Sequence, residues 1–275
     1  MLFEWSDGMN LNEINFSFGG KHCLRDFGCF YVEKSGHPAY PAAQPNTYAI
    51  AGRSGTVRME GQTYSPVTFS GSLFFVSDPP SQAAAQRRIR QISRWLLAGR
   101  QRLIFDYEPA RYYLAEVAAA GRWSYADWID GGLDVEFSAQ PLAYSIQANS
   151  VRRTTAAAEN RIELSVNTGE PAPLALTVEN VGTAAITGVT AAWNGKRAAL
   201  TNGLSVAAGD DVTIDMEPPI GAVYGADGGS ALPCASRFDY IALPAGRHAI
   251  DVTLAFGDDG APGALITVSA RGRWL

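Results

Sequence analysis

The sequence predicts a mainly β protein in two parts, with a single α-helix in the first. Three observations carry this. The chain has 28 glycines and 15 prolines among 275 residues, with 11% aromatics, a mixture that suits strands joined by tight turns. Only one segment, 82–98, repeats its apolar residues at a helical period. Beyond about residue 160, short β-favouring runs alternate with turn signals and no helical period returns.

The first part opens with Phe16–Thr56, where aromatic residues and glycines alternate. No side chain there is arranged for chemistry, so the stretch predicts strands and tight turns forming a docking surface. Gly19-Gly20-Lys21 predicts a turn followed by strand; a phosphate-binding loop needs Gly-Lys-Ser/Thr opening a helix, and His22 stands there instead. Tyr48–Ile50 and Thr56–Met59 read as strands, joined by a turn in which Gly52 and Gly55 bracket Arg53-Ser54. Val67–Val76 alternates like a half-buried strand. Pro79-Pro80 ends it, Ser81 offers an N-cap, and Gly99 a stop. Between them Ala85, Ile89, Ile92 and Leu96 share one helical face, Trp95 and Leu97 flank it, and Arg87, Arg90, Gln91 and Arg94 lie opposite. Strands resume at Arg102–Asp106, Tyr112–Val117 and Leu133–Ser138, with Trp123–Tyr125 and Asp127-Trp128 in a loop.

The polar, alanine-rich stretch Asn149–Asn160 reads as a boundary, which predicts domains at 1–150 and 151–275. The second holds β runs at Arg161–Val166, Ala172–Glu179, Gly188–Trp193, Val212–Asp215, Ala249–Phe256 and Leu265–Ala270. Asn194-Gly195 is a strong hairpin signal. This spacing predicts an antiparallel sandwich.

Composition and motifs exclude several functions. The net charge of −5 divides as −1 and −4 between the two parts, which gives no bulk attraction to nucleic acid. No apolar run is long enough for a membrane helix, and the acidic N-terminus lacks a secretory pattern, which predicts synthesis and folding in a cytosol. Cys23, Cys29 and Cys234 are an odd set and read as reduced thiols. His22, Cys23, Cys29 and His37 lack zinc spacing, so they read as packing or surface residues, and no metal or cofactor is expected. Asp210-Asp211 and Asp258-Asp259 are explained by turns as well as by Ca²⁺. Asp127, Asp130, Asp134 and Glu136 beside Trp123, Tyr125 and Trp128 are the sole hint of glycoside chemistry, with no pairing legible from spacing. No Gly-x-Ser-x-Gly elbow is present. The chain reads as a non-enzyme. The arginine face reads either as a solvated helix or as a surface meeting acidic groups on another subunit, or nucleic acid.

The succession FSFGGKHCLRDFGCFYVE, YAIAGRSGT, Tyr64 and the aromatic strand before the helix resembles the distal tail protein family of phages with long non-contractile tails. Asp26-Phe27-Gly28, Gly52-Arg53-Ser54-Gly55, Trp95-Leu96, the strands Arg102–Asp106 and Tyr112–Val117, and Phe137–Pro141 follow in the family's order; Ser54 stands where an acid is usual. Residues 212–228, Phe238–Leu243, Pro244-Ala-Gly246 and Arg271–Leu275 fit its second domain, so the resemblance spans nearly the whole chain. It implies a β-barrel-like belt domain with one helix and a galectin-like or carbohydrate-module-like β-sandwich. It also implies a virion structural protein, a homohexameric ring at the tail tip, made in the host cytoplasm. The ring would lie between the tail tube protein and a tail-associated fibre or lysin protein, with receptor-binding proteins attached. The expected subunit contacts are Phe16, Phe18, Asp26, Phe27, Gly52, Arg53, Gly55, Arg87, Arg90 and Arg94. The alternative is a module gripping host cell-surface glycan, with Trp193, Tyr224 and Tyr240 stacking on sugar rings.

Overall fold

Strand β1 (Phe16–Phe18) runs through the middle of the first aromatic core rather than along a surface. The computed structural model describes residues 15–34, 38, 40–52, 54–76, 79–118, 121, 123–125, 131–217, 222–225 and 228–275. The chain divides into two units, Met1–Ile146 with Leu275, and Gln147–Trp274. The protein is mainly β with one main helix, in keeping with the composition.

In the first unit, β1 turns through Gly19-Gly20 into β2 (Lys21–His22), and then into α1 (Cys23–Phe27). The strand expected after Lys21 is therefore a short helix. His22 caps its N-terminus, and Gly28 ends it in the left-handed conformation at φ +62°. Next come β3 (Cys29–Glu33), β4 (Ala43–Ala49), β5 (Thr56–Tyr64), β6 (Val67–Phe75), α2 (Gln82–Leu96), β7 (Gln101–Phe105), β8 (Arg111–Val117), β9 (Trp123–Tyr125) and β10 (Gly131–Ser145). The antiparallel sheet has the order β2-β1-β7-β8-β10-β6-β3, with β9 beside β10. Trp123–Tyr125 is thus a strand and not a loop. The β8–β10 register shifts between Ala139 and Ala143, around Pro141, which has no N–H to give the ladder.

Register places Phe16 opposite Phe105 and Phe69 opposite Phe137. All four side chains are buried, with Phe18, Tyr31, Leu73 and Leu103. Helix α2 begins at Ser81, whose Oγ accepts the Ala84 N–H at 3.2 Å, and covers this core with Ile92, Trp95 and Leu96. Ile89 is only half-buried, Trp95 is buried rather than flanking, and Leu97 is exposed. The helix is rotated so that the large indole, with the bigger apolar area to bury, takes the inward position.

The second unit contains β11 (Asn149–Thr155), β12 (Glu159–Val166), β13 (Ala172–Asn180), β14 (Ile186–Trp193), β15 (Lys196–Leu200), β16 (Asp211–Asp215), β17 (Ala222–Gly225), β18 (Ala235–Phe238), β19 (Ala242–Leu243), β20 (Gly246–Phe256) and β21 (Ala264–Ala270). Two antiparallel sheets, β11-β21-β13-β16-β17 and β12-β20-β14-β15-β18, enclose one aliphatic core that includes Leu164, Leu176, Val189, Val252 and Ile266. Burial alternates strictly along β12 and β21, as facing sheets require. The polar stretch 149–160, read as a boundary, forms β11 and the start of β12, and its mainly exposed side chains suit edge strands. Asn194 and Gly195 lie at φ +47° and +78°, the hairpin geometry their types favour.

Candidate assembly interface

Two surfaces of the first unit stand out. The first is built around α1 and α2. The His22 ring accepts the Leu24 and Arg25 N–H groups at Nδ1, at 3.1 and 3.2 Å. Its tautomer is thereby set, so Nε2–H donates to Asp106, 3.0 Å away. The Asp26 carboxylate accepts the His22 N–H at 2.7 Å. These contacts hold α1 against the end of β7. They also show His22 as a buried structural group, and among the described residues no cluster of His, Cys, Asp and Glu could hold a metal. Cys23 and Cys29 are buried free thiols; burial pushes each up to about 12, with Asp106 adding to the effect on Cys23.

So held, α1 presents Phe27 to α2. A cleft of about 550 Å³ opens between them, lined by Lys21, Asp26, Phe27, Arg94, Trp95 and Gln101, among others. Three predicted contact residues, Asp26, Phe27 and Arg94, meet here. Lys21 lies over the Phe27 ring at 5.9 Å. Arg87, Arg90 and Arg94 are exposed and form no ion pair with a described residue, whereas Arg88 lies over the Phe75 ring at 4.9 Å.

The second surface is an arm. Strands β4 and β5 pair with each other and with no other described strand. All seven residues of β4 are exposed. Tyr40, Tyr48 and Ile50 are 80%, 61% and 49% exposed, the first before the base of the arm and the other two towards its tip, and none belongs to a core cluster of the described residues. The predicted Gly52–Gly55 turn is its tip, at φ +81° and +91°. Arg53 lies outside the described residues. A two-stranded hairpin is marginal in water by itself, so this arm has surface to bury elsewhere.

Phe16 and Phe18 are corrected. Both are 0% exposed, and β1 is paired on both edges, by β2 and β7. They fill the subunit's own core and offer a neighbour neither side chain nor strand edge. Sequence reasoning missed Tyr40 and Tyr48 as surface groups. Their signal was Pro45 within β4, since proline within a sheet is confined to strands with a free edge or to bulges. Lys21 and Gln101 carried no sequence signal; the meeting of β2, α2 and β7 brings them together.

In the second unit, Trp193 is half-buried and meets His248 edge to face at 5.4 Å. Lys196, opposite Trp193 across the turn, donates to the Tyr240 carbonyl at 2.9 Å. Tyr224 lies in β17, and its side chain lies outside the description. Of the acids that hint at glycoside chemistry, Asp127 and Asp130 lie outside the described residues. Asp134 binds Lys34 and Ser72, which hold its carboxyl below the usual range.

These elements define a class: a mainly β fold with one helix laid on the sheet of its first unit. A solved protein shares it. The crystal structure of Dit (gp 19.1) of SPP1, presented as a paradigm of the hub adsorption apparatus in phages infecting Gram-positive bacteria, is similar with a TM-score of 0.62. The match covers 95% of this chain and 99% of that chain at 15% sequence identity, and the likeness is one of fold. No family model matches the sequence, and no curated protein matches it.

Proposed function

We propose that this chain is a structural subunit of a phage tail-tip hub, and that copies of it join head to tail into a closed, six-membered ring. The ring joins the tail tube to a fibre or lysin protein and carries receptor-binding proteins. The observation that carries this reading is the arm: a hairpin whose strand β4 is exposed along its whole length, with Tyr48 and Ile50 exposed towards its tip and Tyr40 exposed just before its base. A heterologous contact between an arm and a different patch of the next copy closes a ring when its rotation closes. The fold shared with the SPP1 hub protein along nearly the full length of both chains supports the same reading. Negative-stain images and solution mass of the purified full chain test it. Six-fold annuli are expected; a strict monomer at high concentration, alone and with its tube partner, overturns it.

A second reading is glycan binding by the second unit. It rests on Trp193 and Tyr240, which the Asn194-Gly195 turn and the Lys196 contact bring to one end of that unit. Calorimetry with host wall polysaccharide tests it. Binding abolished by Trp193→Ala supports it, and absence of binding removes it.

A further inference from the structure

The charge of this chain is unevenly placed. Between Asp78 and Asp106 there are six arginines (Arg87, Arg88, Arg90, Arg94, Arg100 and Arg102) and no acid. Taking those six charges from the net −5 leaves −11 on the rest of the chain. A concentrated run of positive charge therefore lies on α2 and just after it, while the rest of the chain is on balance acidic.

The structure turns this into a shaped feature. A smaller cleft, of about 220 Å³, is lined by Pro79, Pro80, Ala84, Arg87, Arg88 and Gln91. The larger cleft continues along α2 with Gln91, Arg94, Trp95 and Ala98. Gln91 belongs to both. The lining positions 84, 87, 88, 91, 94, 95 and 98 recur every three or four residues, so they form one stripe along the helix. The two clefts thus adjoin at Gln91 and together form a grooved stripe along one face of a helix about 22 Å long at 1.5 Å per residue. Arg87 and Arg94 stand two turns apart in it, with no ion pair to a described residue, and Phe27 and Trp95 give its wider end an apolar wall.

We infer that this groove is the electrostatic half of the contact between copies, and that an acidic surface of a second copy seats in it. The inference rests on the ring reading and deepens it by naming which face of the helix meets the neighbour. A polypeptide fits this groove better than a nucleic acid does. Asp26 in its lining repels a polyphosphate, Gln91 and Gln101 offer amide hydrogen bonds, and the aromatic wall suits an apolar side chain.

The test is the full-length chain with Arg87→Glu and Arg94→Glu together, beside the same two positions changed to Lys. Circular dichroism checks that both variants fold; the replaced side chains are exposed. Copy–copy association is measured by analytical ultracentrifugation from low to high salt. The Glu variant is expected to associate at least roughly tenfold more weakly at low salt, about 1.4 kcal/mol, with the Lys variant close to wild type and the difference shrinking as salt screens it. A photo-crosslinker at Gln91 is expected to capture a peptide of a second copy that contains Asp or Glu. Unchanged, salt-independent association of the Glu variant overturns the inference and leaves the ring reading standing, as does a crosslink to nucleic acid. Failure of the wild type to associate, both alone and with its tube partner, removes the ring reading and the inference with it.

Discussion

Phe27 lies flat against Trp95, with ring centroids 4.3 Å apart and planes 19° from parallel. Phe16 stacks on Trp95 as well, at 5.6 Å and 11°. The indole N–H donates to the Phe18 carbonyl at 2.7 Å. One side chain of α2 therefore joins α1, β1 and the aromatic core, and it shapes the wide end of the groove.

Trp95→Ala is expected to destabilise the first unit by about 3–5 kcal/mol, the usual cost of deleting a large buried aromatic. Trp95→Phe keeps much of the packing but leaves the Phe18 carbonyl without its donor, at about 1–3 kcal/mol. Urea unfolding followed by circular dichroism measures both. A loss under 1 kcal/mol for the alanine variant contradicts the role given to this ring.

Tyr31 crosses Gly71 so closely that a Cβ there would stand 2.3 Å from the tyrosine ring. Gly71→Ala is therefore expected to cost about 1–3 kcal/mol through overpacking. The Tyr31 hydroxyl is buried and has no hydrogen-bond partner among the described residues. Tyr31→Phe removes that unsatisfied group and is expected to be neutral or stabilising by up to about 1 kcal/mol. Thermal unfolding of the two variants decides; a clear loss for Tyr31→Phe would reveal a partner for the hydroxyl.

Cys23 and Cys29 should be slow to react with thiol reagents in the folded protein, while Cys234, only half-buried, reacts first. Burial raises the two buried thiols from 9.0 to about 12 in the folded state. The unfolded chain therefore gives up these protons at lower pH than the folded one. Their contribution is fully present below pH 9 and is lost as pH rises from about 9 towards about 12. A Cys23→Ala, Cys29→Ala variant is expected to show a flatter stability profile than wild type between pH 9 and 10; the tyrosines, which begin to ionise in that window, are common to both proteins and cancel in the comparison. Equal slopes for variant and wild type would refute this account.

Replacing residues 43–64 with a short Gly-Ser link removes the arm without touching the aromatic core. The folded unit is expected to keep its stability within roughly 1 kcal/mol, as for other exposed changes, while closed rings disappear from electron micrographs. Rings that persist without the arm would show that the contact lies elsewhere.

The large elements were legible because their signals are local and repetitive. Ser81, the apolar stripe of α2 and Gly99 mark a helix on their own, and Asn194-Gly195 marks a hairpin through the φ values these residues tolerate. Helix α1 was not legible. Five residues are too few to show a period, and its cap is a histidine whose acceptor role depends on Asp106, 84 residues away. Trp95 was misplaced because periodicity gives the direction of a face only to within a residue, and contact with Phe16 and Phe27 set the rotation.

The candidate interface divides along the same line. Sequence alone determined that the chain is mainly β with one main helix, that α2 bears an arginine face, and that glycines shape the turn at 52–55, because each depends on neighbours within a few positions. Only the tertiary structure decided that Phe16 and Phe18 are spent inside, that Asp26, Phe27 and Arg94 share a groove, and that β4 and β5 stand apart as an arm. Aromatic residues in a strand have the same pattern whether they face a core or a partner, and pairing with β7, distant in the chain, turned β1 inward.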